Sequence, residues 1–336
     1  MPATRWLRYL SFQRISAVYL LILLVIVFSL WVPETFLTTS TLKTILGDQS
    51  VTALLAIGLV IPLAAGAFDL SVGLALGAGN INVMYLIVQH GWSSGAAIVA
   101  SLLFGCLIGA INGGLVARAK LDSFIATLGV SSVLSAYVVW VSSNQQIVGD
   151  PTSSFGLLAG RQVLGISLSF WIMIVVAAGV WYVLTHRPAG RRLYATGGGA
   201  DAARLAGVRV RAVVFCALLA SGVIAAAAGV LLASRIGVGS PTVGAPYMIP
   251  AFAAVFLGST QLTAGRFNVW GTVLAVYVLA VGVKGLQLAG APFYVSDLFN
   301  GVALVFAVWL SRFERGRSLR ARLGARRRLA AGSAAS

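Results

Sequence analysis

Apolar runs of about 20 residues recur along the chain, separated by short polar breaks. Runs of that length suit helices that cross the hydrocarbon core of a bilayer. They predict ten spans: about Ser16 to Val32, Gln49 to Ala67, Ser71 to Gln89, Ser94 to Ala117, Phe124 to Val141, Ile166 to Leu184, Ala212 to Ala233, Tyr247 to Leu257, Val269 to Leu288 and Val295 to Leu310. The fold class expected is all-α and polytopic. Residues 16–311 form one transmembrane domain, between an amphipathic basic segment at 1–15 and a basic tail at 312–336. Pro33–Asp48 is expected as an outer loop. Ser142 to Gly165 is expected as the longest outer loop, with Asp150–Pro151 marking a turn, and Arg235–Pro246 as a glycine-rich one.

The largest polar break is Arg187 to Arg211, RPAGRRLYATGGGADAARLAGVRVR, within the cytoplasmic segment 186–211. Its middle predicts a short helix. Gly197, Gly198 and Gly199 precede it, Asp201 lies in its first turn, Arg204 follows, and Gly207 is placed to stop it. Ala202, Ala203 and Ala206 are small enough for another backbone to approach closely. An ordinary solvated loop and a surface helix that receives force from a soluble partner both fit this pattern.

Charge fixes the orientation. The chain has 24 Lys and Arg against 8 Asp and Glu. Most basic residues gather at Arg5–Arg14, Arg118–Lys120, Arg187–Arg211, Arg266 and Arg312–Arg328, at alternate ends of the apolar runs, and only Lys43, Arg161, Arg235 and Lys284 fall elsewhere. That is the positive-inside pattern, with both termini cytoplasmic. A nucleic-acid binder would instead gather its basic residues on one soluble surface, so no nucleic-acid partner is expected. The arginine-rich tail is expected to lean on anionic membrane lipid. Trp31, Trp92, Trp140, Trp171 and Trp309 fall near span ends, as interfacial tryptophans do. Cys106 and Cys216 are expected as buried free thiols. The first apolar run is too long for a cleavable signal peptide.

Little in the chain carries covalent chemistry. No phosphate-loop pattern occurs, His90 and His186 stand alone, no cluster has metal-ligand spacing, and the serines lack a catalytic context. The chain is expected not to be an enzyme, and to bind no metal or cofactor of its own. Asp69 is the acid that matters, because a carboxylate at membrane depth needs a partner or an interfacial place. With Ser71 it is placed to cap the third span, and a hinge along a translocation path is the other reading. Asn80, Asn82, Asn112 and Asn268 either line such a path or hold helices together.

Three stretches carry a family resemblance, spread over roughly residues 40 to 312. GRRLYATGGGADAARLAGV is similar to the cytoplasmic coupling segment of the ribose-type permeases, the membrane subunits of ABC sugar importers. Phe68–Gly73 keeps Asp69, Leu70, Ser71, Val72 and Gly73 of that family's Gly-Gly-Ile-Asp-Leu-Ser-Val-Gly signature, and departs at Ala67 and Phe68. Leu257–Gly271 resembles its Gly-Gly-Thr-Ser-Leu-Ser-Gly-Gly-Arg-Gly segment. It keeps Gly258, Thr260, Leu262, Gly265 and Arg266, and departs at Ser259, Gln261, Ala264 and Phe267.

The resemblance implies a permease subunit in the cytoplasmic (inner) membrane that moves a monosaccharide or similar small polar solute. It implies a separate ABC ATPase that holds the ATP, an extracytoplasmic solute-binding protein, and a second permease subunit, identical or paralogous. Gly199, Asp201, Ala202, Ala203, Arg204, Leu205 and Gly207 become candidates for coupling to the ATPase. Asp69, Ser71, Gly73, Asn80, Asn112, Gly258, Thr260, Gly265 and Arg266 become candidates for the path or its hinges. Two alternatives come from other classes. One is an ion-coupled secondary transporter, against which most acids lying in loops or at span ends counts weakly. The other is a membrane scaffold whose basic tail recruits acidic partners.

Overall fold

The computed structural model describes residues 16–150, 153–261 and 265–309. The segment 1–15, the tail 312–336 and Leu262 lie outside the described residues. Thirteen helices are labelled here in chain order. They are α1 (Ser16–Trp31), α2 (Thr39–Ala64), α3 (Val72–Met84), α4 (Ser94–Gly113), α5 (Ser123–Ser142), α6 (Ser154–Gly160), α7 (Leu168–His186), α8 (Pro188–Gly198), α9 (Ala200–Leu205), α10 (Val210–Ile236), α11 (Met248–Gly258), α12 (Val269–Leu288) and α13 (Tyr294–Trp309). Helices α3 and α4 each run on into a π-helical turn, Tyr85–Gln89 and Gly114–Arg118.

Among the described residues seven helices, α2, α3, α4, α5, α7, α10 and α12, are long and apolar enough to cross a membrane. Helices α1, α11 with the turn before it, and α13 are shorter and also apolar. Each predicted apolar run falls on one of these ten.

The expected outer loop Pro33–Asp48 is instead largely helical. A single turn at Pro33–Phe36 is followed by α2, which starts at Thr39 and not at Gln49. Thr38 caps it by accepting the Thr41 N–H at 3.1 Å, which gives a free N-terminal donor a partner. The polar residues of these first turns are what made the stretch read as loop.

Residues 142–165 also differ from a plain loop. They contain α6, and their strand β1 (Ile147–Val148) pairs antiparallel with β4 (Val238–Gly239), while β2 (Gln162–Val163) pairs with β3 (Ile166–Ser167). The segment is pinned to the end of α10, where Ser234 Oγ accepts from Ala159 N–H and donates to the Phe155 carbonyl. Neither cysteine is buried as expected: Cys106 is half-buried and Cys216 exposed, and both thiols are free.

Helix α2 is the centre of the bundle. From Ser50 to Ala64 every residue is buried, because α3, α7, α10, α11 and α12 pack around it. Helix α10 forms the other axis and packs on α2, α3 and α4. Its seam with α4 depends on small residues. A Cβ on Gly105 would meet Ala226 and Gly222, and one on Gly109 or Gly113 would meet Leu219 or Phe215. Close backbone approach of this kind is how helices associate where lipid offers no hydrophobic driving force. Gly114 is not part of the seam, since a side chain there would meet nothing within 4 Å.

Candidate functional site

Of the three stretches that carry the resemblance, the first holds most of helix α8, which meets the third directly and the loop that leads into the second. Pro188 begins this helix, where its missing N–H costs nothing. Its sequence places Leu193 and Thr196 inward, and its two arginines, Arg191 and Arg192, outward. Gly197 abuts the end of α2 and the turn after it. A methyl group there would overlap the Ala64 carbonyl oxygen and stand 3.1 Å from the Gly66 nitrogen. Gly66 answers with a left-handed backbone, φ +82°, and its own Cβ position is 3.3 Å from Gly197 Cα. Two glycines thus allow backbone-to-backbone contact between the arginine-rich segment and the 65–71 loop.

On its other side α8 holds the third stretch. The Tyr194 hydroxyl donates to the Phe267 carbonyl at 2.6 Å, and the Arg266 guanidinium lies 4.1 Å from the Tyr194 ring centroid. Burial pushes the Tyr194 phenol up, with Arg266 opposing, so the hydroxyl stays protonated and able to donate. Arg266 therefore sits at the arginine-rich end against α8.

Asp69 lies at the far end of the 65–71 loop, 1% exposed. Its Oδ1 accepts from the Ser71 backbone N–H (3.1 Å) and hydroxyl (2.6 Å), and its Oδ2 accepts from the Ser221 hydroxyl of α10 (2.7 Å). The Asn112 amide of α4 donates to Ser71 Oγ at 2.7 Å and reaches Asp69 Oδ1 at 3.5 Å. The neighbouring backbone is held by α5, where Ser123 accepts from Phe68 N–H and Thr127 from Leu70 N–H. The expected cap of α3 is not formed by a side chain: Ser71 stands at the N-cap without a side-chain cap bond, while Asp69 accepts from Ser71 itself and spends its other oxygen on α10. Among the described residues no basic side chain forms an ion pair with Asp69, and no three His, Cys, Asp or Glu side chains gather to hold a metal. Asn112 Oδ1 is buried without a partner.

The other path candidates are dispersed. Asn80 ties α3 to β4, donating to the Val238 carbonyl and accepting from Ser240 N–H. Asn82 donates to Ser101 and accepts from Tyr137. Asn268 caps α12 through Gly271 N–H, and its amide donates to the Gly258, Gln261 and Arg266 carbonyls. Gly73 crosses Gly244, and Gly258 crosses Gly271 and Thr272, at distances that leave no room for a side chain. Thr260 is buried and donates to the Leu257 carbonyl, and Gly265 turns with φ +78°.

Of the coupling candidates, Asp201, Ala202, Arg204, Leu205 and Gly207 are exposed and Gly199 is half-buried. Ala203 is buried, facing its own chain, whereas Leu205 is 91% exposed. The sequence reading did not single out Tyr194, Gly66 or Ser221. Tyr194 stood inside a quoted motif, but nothing in its spacing named its partner.

Comparison with known proteins adds to this geometry. The ribose import permease of Escherichia coli (strain K12) is 33% identical over 297 residues, covering 87% of this chain and 91% of its own. That of Haemophilus influenzae is 32% identical over 305 residues, 90% and 93% of the two chains. The D-allose transport system permease of Escherichia coli (strain K12) is 28% identical over 303 residues, 90% and 93%. No solved structure matches. The family described as "Branched-chain amino acid transport system / permease component" matches residues 41–308, and the chain belongs to that family of transport permeases.

Proposed function

We propose that the chain is the membrane subunit of an ATP-driven importer for a monosaccharide or similar small polar solute. It has ten spans, both termini in the cytoplasm, and a place in the cytoplasmic (inner) membrane. The observation that carries this reading is the seating of α8 between the 65–71 loop and residues 265–268. An ATPase that closes on α9 moves α8, and α8 touches the loop that leads into one family stretch and, through Tyr194, the other stretch directly. Gly197 passes the movement to the loop that ends in Asp69, and Tyr194 passes it to the turn that starts α12. The energy comes from ATP on the partner, and this chain's part is mechanical. A second permease subunit, identical or paralogous, and an extracytoplasmic binding protein complete the assembly.

The family description names branched-chain amino acids, while the relatives matched over most of the chain are named for ribose and D-allose. A sugar fits better. A zwitterionic amino acid needs charged partners inside the membrane, where charge is costly, and the buried polar side chains here are hydroxyls and amides, with Asp69 already engaged.

Leu205→Asp tests the coupling. A large apolar side chain with 91% of its surface exposed on a cytoplasmic helix is suited to a partner's pocket. The expected result is a fall of about tenfold or more in uptake. Permease-stimulated ATP hydrolysis falls in step, at wild-type levels of inserted protein. Wild-type uptake by this variant would overturn the assignment. Ala203→Arg is the poorer probe, because it would force a charge into packed residues.

A further inference from the structure

The half of the bundle away from α8 holds a cavity of about 310 Å³ between α2, the turn before α11, α12 and α13. Its volume is that of a small-molecule site. Pro246, Pro250 and the stretch of α12 from Val276 to Val283 make apolar walls. Four polar side chains from three elements line it: Gln49 and Thr52 of α2, Tyr247 of the turn, and Asn300 of α13. Gln49 and Thr52 are three residues apart and so share one face of the helix.

No hydrogen bond of these four side chains is found among the described residues, and none of their polar atoms is fully enclosed. The amides of Asn80, Asn82 and Asn268, by contrast, are each held by hydrogen bonds within the bundle. Thr52 is only 6% exposed, but its hydroxyl is not among the enclosed unpaired atoms, so it opens toward the cavity, where water or a ligand can meet it. The chemistry of the set is narrow. Two amides and two hydroxyls each both donate and accept, and among the described residues no charged side chain lines the cavity. The nearby Asp48 and Arg235 are bonded to each other, and Arg235 also donates to Ser167. A neutral, polyhydroxylated molecule meets these demands. Its hydroxyls need partners of both senses, and its C–H faces suit the proline and valine walls. An ion would be left uncompensated.

We propose that this cavity is where the permease holds its sugar after the binding protein releases it, with Gln49, Thr52, Tyr247 and Asn300 as the bonding groups. The proposal rests on the importer reading and adds a place and a set of residues to it. About 18 Å of helix separates Thr52 from Ala64, so the cavity lies well away from the coupling contact.

The test measures labelled sugar moved per ATP hydrolysed by the complete complex, using a panel of pentoses and hexoses. In the double variant Thr52→Val, Asn300→Leu, which removes bonding atoms and keeps volume, the ratio is expected to fall about tenfold. Returning Thr52→Ser in place of valine should recover part of it. A residue with a merely structural role would lower transport and hydrolysis together and leave the ratio alone. If the double variant fails to assemble, Gln49→Leu and Tyr247→Phe decide on the same readout. A wild-type ratio in variants that assemble overturns the cavity while the importer reading stands. A wild-type complex that hydrolyses ATP and moves none of the sugars overturns the sugar reading itself, and the cavity's role with it.

Discussion

Alanine at Gly197 is expected to reduce uptake about tenfold or more, while alanine at Gly198 leaves it near wild type. Intrinsically the two changes are alike, each favouring helix by about 1 kcal/mol. They differ in what the new methyl meets. At Gly198 it meets nothing within 4 Å, whereas at Gly197 it overlaps the Ala64 carbonyl oxygen and crowds Gly66. Overpacking of a fixed backbone contact costs about 1–3 kcal/mol, and α8 can relieve it only by leaving the end of α2. Uptake and ATPase stimulation measured side by side for the two variants, at matched membrane levels, decide the matter. Equal behaviour of the pair would remove the Gly197–Gly66 contact from the coupling route.

Asp69 gives the other large effect, and its two substitutions should part company. Asp69→Ala leaves the Ser71 N–H, the Ser71 hydroxyl and the Ser221 hydroxyl without their acceptor. Unmet buried groups cost about 1–3 kcal/mol each, so the expected result is loss of folded protein, read as a lowered melting temperature in detergent. Asp69→Asn keeps the Oδ1 acceptor for Ser71 and presents an amide to Ser221, whose hydroxyl is free to turn to a carbonyl of its own helix. It should keep most of the uptake. An ion-coupled carrier that relied on this carboxylate would lose transport in the asparagine variant while remaining folded, and that outcome would move the assignment to the secondary-transporter class.

The helices were legible because lipid demands them: every apolar run long enough to span fell on one helix. The start of α2 was hidden because Thr39, Lys43, Asp48 and Gln49 break the hydropathy of its first turns. Those turns are helical through the Thr38 cap and through packing, neither of which hydropathy measures. The docked segment 142–165 was hidden for a related reason, since its anchor, Ser234, lies on another helix. The three motifs were visible as motifs. The seating of α8 was not, because the pairs Gly66 with Gly197 and Tyr194 with Phe267 are long-range contacts that no local pattern encodes. The cavity was less legible still. Gln49, Thr52, Tyr247 and Asn300 share no spacing, and each alone is an ordinary polar residue in an apolar run. Their meaning comes from facing one space without a partner.

Helix α2 carries both ends of this system, with Gln49 and Thr52 in the cavity and Ala64 against Gly197. Only Pro62, near its last turn, interrupts its regular bonding. A rigid body with a ligand at one end and a partner at the other obeys thermodynamic reciprocity. If a tilt of α2 that suits the ATPase changes the cavity's affinity for solute by some factor, solute in the cavity changes the ATPase's affinity for the permease by the same factor. The permease then reports its own occupancy to the cytoplasm, without any change in the binding protein.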